Sequence, residues 1–255
     1  MTQKVKKNEI YRYLLDVRDE KGAGYIVLID PDRKNDDSLD ARVETANNSG
    51  VDALFVGGSL MMDGKYRQRV ARIKALAKMP VIFFPGGVNQ LNEYYDAMLF
   101  MSVLSGRNPH YLIGEQVIAA PIVHDLGIET IPTGYLLLDG GARSTVEFMS
   151  GTHPIPMNRP DIVVAHSLAA QYLGMKMIYL EAGSGANTAV TTDIIKAVSD
   201  KVDVPIIVGG GLRDPEQAKK RVEAGADFIV TGTVIEETGG SGLIAAFAEA
   251  VHTGE

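Results

Sequence analysis

The chain has 255 residues, enough for one or two domains, and its 45% hydrophobic and 22% charged content is that of a folded globular protein. A formal net charge of -7 argues against a broad nucleic-acid surface, and the absence of cysteine removes disulfides, thiolate metal sites and cysteine nucleophiles. The basic start MTQKVKKNEIYRYLL lacks the apolar core of a signal peptide, and no apolar run approaches a membrane span. A cytoplasmic protein is expected, one that can still meet lipid transiently.

An amphipathic stretch at 6–18 comes first and reads as scaffold. Eight short apolar runs follow, about thirty residues apart: YIVLID from 25, DALFVGG from 52, PVIFFPGG from 80, LFMSVLSG from 99, TIPTGYLLLD from 130, KMIYLEAG from 176, PIIVGGG from 205 and DFIVTGT from 227. Each is nearly continuous in apolar residues, the pattern of a strand buried on both faces of a parallel sheet. Between them lie SLDARVETANNSG, KYRQRVARIKALAK, HYLIGEQVIAAPIVHDLG, PDIVVAHSLAAQYLG, VTTDIIKAVSDK, DPEQAKKRVEAGA and GLIAAFAEAVH, several of them closed by glycine as helices commonly are. In the sixth of these, Asp214 suits the N-cap and Pro215 the first helical position.

Eight strand–helix alternations at this length predict an α/β chain folded as a single (β/α)8 TIM barrel over residues 1–255, with a doubly wound open sheet as the alternative. One connection, residues 139–160 after the fifth strand, is 22 residues long and belongs to the face where such barrels keep their chemistry.

The residues that end each strand are therefore the candidates. The turns LEAGSGA, VGGGLRDP and VTGTVIEE place glycines after the last three strands, with Ser184 and Thr233 as hydroxyl donors, and backbone N–H groups in such turns bind phosphate. Three adjoining glycine turns favour that reading over plain tight turns. Asp30 and Asp32 end the first strand in LIDPD, and their carboxylates suit a hard cation such as magnesium, although an Asp-Pro turn is also common as structure. Ser59, ending the second strand, is either a neighbouring ligand or a helix cap.

The five histidines form no HxH or HExxH pattern, which disfavours catalytic zinc or iron. Lys176 begins its strand and Lys34 lies well into a loop, so a Schiff-base lysine is disfavoured too. Around the middle strands the residues turn apolar and aromatic, and Tyr94, Tyr95 and Tyr111 suit the wall of a groove. Arg107, in SGRNP, is a candidate partner for a second anion. A phosphate cradle, acidic metal candidates, a greasy groove and the lone carboxylate Glu181 suggest two substrates: a small phosphate ester and a long hydrocarbon with an anionic head. A phosphosugar enzyme of barrel fold, or a barrel that binds phosphate without catalysis, remains open at this point.

Taken in order, LIDPD, GGS, FPG, SGRNPHYLIGEQ, PIP, QYLGMKMIYLEAGSGA, VGGGLR and TGTVIEE resemble the geranylgeranylglyceryl phosphate synthase family over residues 25–238. The resemblance implies a magnesium-dependent prenyltransferase that joins an allylic isoprenoid diphosphate to the 3-hydroxyl of sn-glycerol 1-phosphate, making the first ether bond of archaeal-type lipids. It implies that Asp30 and Ser59 hold Mg2+ and that Tyr179, Leu180, Glu181, Ala182, Gly183, Ser184, Gly185, Gly210, Gly211, Gly232 and Thr233 bind glycerol phosphate. Glu181, with Tyr179 beside it, is the candidate catalytic base, and Arg107, Asn108, Tyr94 and Tyr111 are expected near the prenyl diphosphate. YLEAGSGA favours a geranylgeranyl over a heptaprenyl donor. Some bacterial relatives carry a lysine two residues before the metal-binding aspartate, where this sequence has Leu28. A homo-oligomer is expected on the same resemblance.

Overall fold

The protein is described by a computed structural model that covers residues 8–238 and 241–254. The strands are β1 (Gly24–Ile29), β2 (Ala53–Val56), β3 (Val81–Phe83), β4 (Ala97–Val103), β5 (Glu129–Leu137), β6 (Met177–Glu181), β7 (Ile206–Gly209) and β8 (Phe228–Thr231). All pair in parallel with their sequence neighbours, and β8 returns to β1 with Gly24 to Val27 opposite Phe228 to Thr231. That last pairing decides for the (β/α)8 TIM barrel over an open sheet, because closure leaves no edge strand. The helices are α1 (Glu9–Lys21), α2 (Leu39–Asn47), α3 (Tyr66–Leu76), α4 (Glu115–Leu126), α5 (Thr145–Ser150), α6 (Pro160–Tyr172), α7 (Thr192–Ser199), α8 (Pro215–Glu223), α9 (Thr233–Thr238) and α10 (Ser241–Val251).

Side chains alternate across each strand, which separates two cores. Ile26, Phe55, Ile82, Leu99, Tyr135, Tyr179, Ile207 and Phe228 fill the barrel, while Tyr25, Val27, Leu54, Val56, Val81, Ile178, Leu180 and Val208 face the helices. The same alternation carries Asp30, Ser59 and Glu181 onto the inward side at the ends of their strands. Their place at the mouth is thus set by the register of the barrel.

The opposite end is sealed by α1. Leu14 is completely buried among the inward residues, with Ile10 and Tyr11 packed against them. Glu129, at the start of β5, accepts hydrogen bonds from the Ile10 and Tyr11 amides at 2.9 and 2.8 Å, satisfying two N–H groups that the first helical turn leaves over. The expected amphipathic stretch therefore packs on the barrel, its first two residues falling outside the described ones.

The long connection after β5 is not without structure. Ser144 caps α5, its hydroxyl accepting from the Glu147 amide at 3.2 Å, Gly151 ends the helix in the left-handed region, and Ile155 then bridges back to Leu138. At α8 the predicted cap is in place, with Asp214 accepting from the Gln217 amide at 2.9 Å.

Asp52 ties the seam of the barrel together at its sealed end. Its buried carboxylate accepts from the Tyr25 amide and pairs with His252 Nε2, both at 2.8 Å, and with Lys21. Burial acts to raise its pKa, but the bonds from His252, Lys21 and Tyr25 outweigh it and hold the carboxyl below its ordinary range. A depressed folded pKa stabilises the fold above the unfolded value near 3.9, and that contribution is lost as pH falls through the folded pKa. Asp52→Asn is therefore expected to lower unfolding free energy by about 3 kcal/mol at pH 7. In urea titrations the gap to the wild type should close below about pH 4.

Candidate active site

The carboxyl ends of the strands open into a cavity of about 670 Å³, a size suited to small-molecule ligands. Its two sides differ. Gly185, Gly210, Gly211 and Gly232, with the hydroxyls of Ser184 and Thr233, form the side after β6 to β8, and those two hydroxyls lie 3.0 Å apart. Across the barrel, Phe84, Leu91, Met98, Phe100, Met101 and Val103 form an apolar side over β3 and β4.

Glu181 stands at the end of β6, 7% exposed. Its Oε1 accepts the Gly183 amide at 2.7 Å, so the first amide of the glycine turn binds the protein's own carboxylate. Burial pushes the Glu181 pKa up to about 7, against the pull of the Gly183 N–H and the Tyr179 hydroxyl. The Tyr179 hydroxyl is itself buried beside that carboxylate, too poorly aligned for a full hydrogen bond, and burial with the Glu181 charge drives its pKa well up. A carboxylate poised near neutrality and a neutral phenol thus lie side by side.

The glycines after β7 make room for this pair. A Cβ on Gly209 would lie 2.4 Å from the Tyr179 hydroxyl, and one on Gly210 would lie 2.3 Å from Glu181 Oε1. Gly210 also has φ +80°, a conformation that side chains rarely adopt. The glycine run is therefore more than a candidate cradle for anions. Its missing side chains also hold the base candidate in place.

Asp30 and Ser59 share the rim of β1 and β2. The Asp30 carboxylate presses on the turn after β2 so closely that a Cβ on Gly58 would lie 2.6 Å from Oδ1. Asp32 also lines the cavity, its carboxylate accepting the Met62 amide at 2.8 Å and the Lys34 amide at 3.3 Å. Arg69, buried behind the rim, binds both oxygens of Asp63 at 2.7 Å and Asp36 at 3.1 Å, locking the loop after β1 to the loop after β2. Among the described residues no three acidic or histidine side chains gather as a complete cage. One carboxylate and one hydroxyl, all oxygen, do fit magnesium, which commonly takes one or two protein carboxylates and completes its shell with water and substrate phosphates.

Tyr135 and Phe84 join Tyr179 in an aromatic group between the two sides. Their ring centroids lie 5.4 Å (Tyr135–Tyr179), 5.5 Å (Phe84–Tyr179) and 6.4 Å (Phe84–Tyr135) apart. Val146 and Met149 of α5 add to the apolar lining.

Of the residues singled out from sequence, Asp30, Asp32, Ser59, Tyr111, Tyr179, Glu181, Ser184, Gly185, Gly210, Gly211, Gly232 and Thr233 line this cavity. Leu180 and Ala182 face the helices, as the alternation along β6 requires, and Gly183 contributes through its bond to Glu181. Arg107, Asn108 and Tyr94, expected near the prenyl diphosphate, are not among the residues that line the cavity. Arg107 folds back on the carbonyls of Leu104 and Gly106 at 3.2 and 2.7 Å, and Asn108 ties to the Ser150 carbonyl at 3.0 Å. Tyr94 lies beneath the Arg67 guanidinium, 5.4 Å from ring centroid to cation, while Tyr95 is buried against Phe83.

Phe84, Tyr135, Glu115 and Arg213, which no sequence signal sets apart, and Lys34, which follows β1, also line the cavity. Lys34 Nζ lies 3.4 Å from Asp30 Oδ2. Paired and exposed, it is not the desolvated amine that Schiff-base chemistry uses.

A sequence model of the PcrB family matches residues 15–251. The geranylgeranylglyceryl phosphate synthase of Chitinophaga pinensis is 43% identical over 245 residues, covering 96% of each chain. Among solved structures, wild-type GGGPS from Thermoplasma volcanium superposes with a TM-score of 0.89 at 36% identity, over 96% of this chain and 98% of that one. The (S)-3-O-geranylgeranylglyceryl phosphate synthase of Thermoplasma acidophilum, solved in complex with sn-glycerol-1-phosphate, gives 0.88 at 35% identity over the same shares. The match to the family over nearly the whole barrel, together with relatives at this identity, establishes that the chain belongs to the PcrB family, alongside the geranylgeranylglyceryl phosphate synthases.

Proposed function

We propose that this chain is a magnesium-dependent prenyltransferase that joins an allylic isoprenoid diphosphate, best geranylgeranyl diphosphate, to the 3-hydroxyl of sn-glycerol 1-phosphate. The observation that carries this is the placement of Glu181. A buried carboxylate with a pKa of about 7 stands at the border of a glycine-lined side and an apolar side of one cavity. A phosphosugar enzyme would need no apolar side.

The acceptor's phosphate meets the turn backbones at Gly210, Gly211, Gly232 and Thr233, and its hydroxyl end meets Tyr179 and Glu181. The donor's hydrocarbon lies along Phe84, Phe100 and Met101, which places its diphosphate by Asp30 and Ser59. Asp30 and Ser59 would hold magnesium, which would supply charge neutralisation for the leaving diphosphate. As the allylic C1–O bond breaks, the aromatic faces of Phe84, Tyr135 and Tyr179 provide a surface favourable to positive charge. The glycerol oxygen bonds to C1, its proton passes to Glu181, and diphosphate departs. The neutral Tyr179 hydroxyl holds the acceptor oxygen in line.

The whole chain acts as one barrel domain in the cytoplasm on this reading, as a homo-oligomer. Apolar residues exposed on α4, Val117, Ile118 and Ile122, support self-association. No helix among the described residues is long and apolar enough to cross a membrane, and the lipophilic product would meet a bilayer only transiently.

The reaction is tested by mixing labelled geranylgeranyl diphosphate, sn-glycerol 1-phosphate and magnesium with the protein and extracting an organic-soluble phosphate. Absence of product with donors of several chain lengths would defeat it, and chelation with EDTA should stop turnover.

Glu181→Gln should cut kcat by about 100-fold or more with little change in glycerol phosphate affinity. The wild-type rate should rise with pH through an apparent pKa near 7, because the base must be ionised. Stability moves the other way. A carboxylate with a raised folded pKa binds more protons folded than unfolded, so its cost to the fold grows as pH rises from about 4 to 7. Glu181→Gln should accordingly stabilise the protein at pH 8 by on the order of 2 kcal/mol and not at pH 4.

Gly210→Ala should cost most of the activity while the fold survives, since its Cβ would drive Glu181 out of position. Unchanged turnover in that variant would count against the assigned position of the base.

A further inference from the structure

Charge around the cavity is unequal. Among the described residues that line it, Asp30, Asp32, Glu115 and Glu181 are acidic, and Lys34 and Arg213 are the cations. On the proposed reaction, both substrates carry their negative charge at or near the reacting end. They enter an acidic opening on a chain of net charge -7. Beside the proposed magnesium and the hydroxyls of Ser184 and Thr233, backbone N–H groups and these two side chains are the sources of attraction for them.

The two cations belong to different parts of the mouth. Lys34 lies in the short 3-10 helix Arg33–Ser38 after β1, its backbone fixed by the Asp32 carboxylate and its ammonium 3.4 Å from Asp30 Oδ2. Its side chain is 60% exposed, so the ammonium can exchange one anionic partner for another. Arg213 follows the glycines of β7, two residues before α8. Its amide donates to Gln217 Oε1 at 3.3 Å, and its Nη2 reaches across to the Ala186 carbonyl at 3.4 Å, over the glycine turn that follows β6.

Side-chain chemistry distinguishes them as well. A lysine ammonium is a compact charge on a flexible stem, suited to the oxygens of a diphosphate that also shares a metal. An arginine fork matches a phosphate monoester with two parallel bonds.

We propose that Lys34 and Arg213 sort the two anions of the reaction, Lys34 binding the donor diphosphate beside Asp30 and Arg213 binding the acceptor phosphate over the glycine turn. The inference rests on the proposed reaction and adds to it the residues that prevent each anion from occupying the other's place.

The test uses Lys34→Met and Arg213→Met in the full chain, with Lys34→Arg and Arg213→Lys as conservative partners. KM is measured separately for each substrate, and calorimetry measures binding of sn-glycerol 1-phosphate and of magnesium diphosphate. Lys34→Met should weaken donor KM and magnesium diphosphate binding by about 10- to 100-fold and leave glycerol phosphate binding within about twofold. Arg213→Met should do the reverse. Lys34→Arg should recover most of the lost affinity, and Arg213→Lys should recover less because it lacks the fork. A wild type that makes product while neither Met variant shifts either ligand, or while both shift both ligands equally, overturns the sorting and leaves the reaction standing. A wild type that makes no product overturns the reaction and the inference with it.

Discussion

The contact between Glu181 Oε1 and the Gly183 amide sets the terms for the rest of the mouth. A carboxylate this deeply buried is costly unless something bonds to it, and one short N–H bond offsets only part of that cost. The remainder appears as a raised proton affinity. Gly209 and Gly210 follow as a requirement, because no residue with a Cβ could lie against Tyr179 and Glu181 at these distances. The turn that looks built for phosphate is thus constrained from inside the barrel as well as from the ligand side.

The barrel adds a second constraint through its register. Inward and outward positions alternate along every strand, so a single closed pairing scheme brings Asp30, Ser59 and Glu181 to the same opening from strands far apart in sequence. Behind them the Arg69 cluster fixes the two loops that carry the metal candidates, while Glu129 and Asp52 fix the other end.

Much of this was legible in the sequence because it depends on local pattern. Continuous apolar runs mark the strands, and the residues ending them mark the mouth, which is why the sequence already places Asp30, Ser59, Tyr179, Glu181 and the glycines there. Less legible are residues whose direction is set by tertiary contacts. Arg107 and Asn108 lie in a loop whose backbone carbonyls compete for them, and Tyr94 is claimed by Arg67. Lys34 and Arg213 sit beyond strand ends, so only the fold shows how far they reach. Phe84 and Tyr135 were hidden among core-like aromatics, since an inward aromatic near a strand end looks the same in sequence as one in the middle. The helix α5 had a readable sign in STVE, a capping box from Ser144 to Glu147, within a segment expected to be a loop.

The helix that plugs the barrel has a consequence for traffic. With α1 packed across the far end, the described cavity opens at the carboxyl ends of the strands, and on the proposed reaction substrates and products share that mouth. On the proposed reaction the ether product keeps the donor's hydrocarbon, and with it every apolar contact that drew the donor in. Each buried methylene is worth about 0.8 kcal/mol on the way in and must be given up on the way out. A wall greasy enough to capture a long isoprenoid therefore also delays its release, which makes departure of the product, more than formation of the ether bond, the step that a nearby lipid surface would hasten.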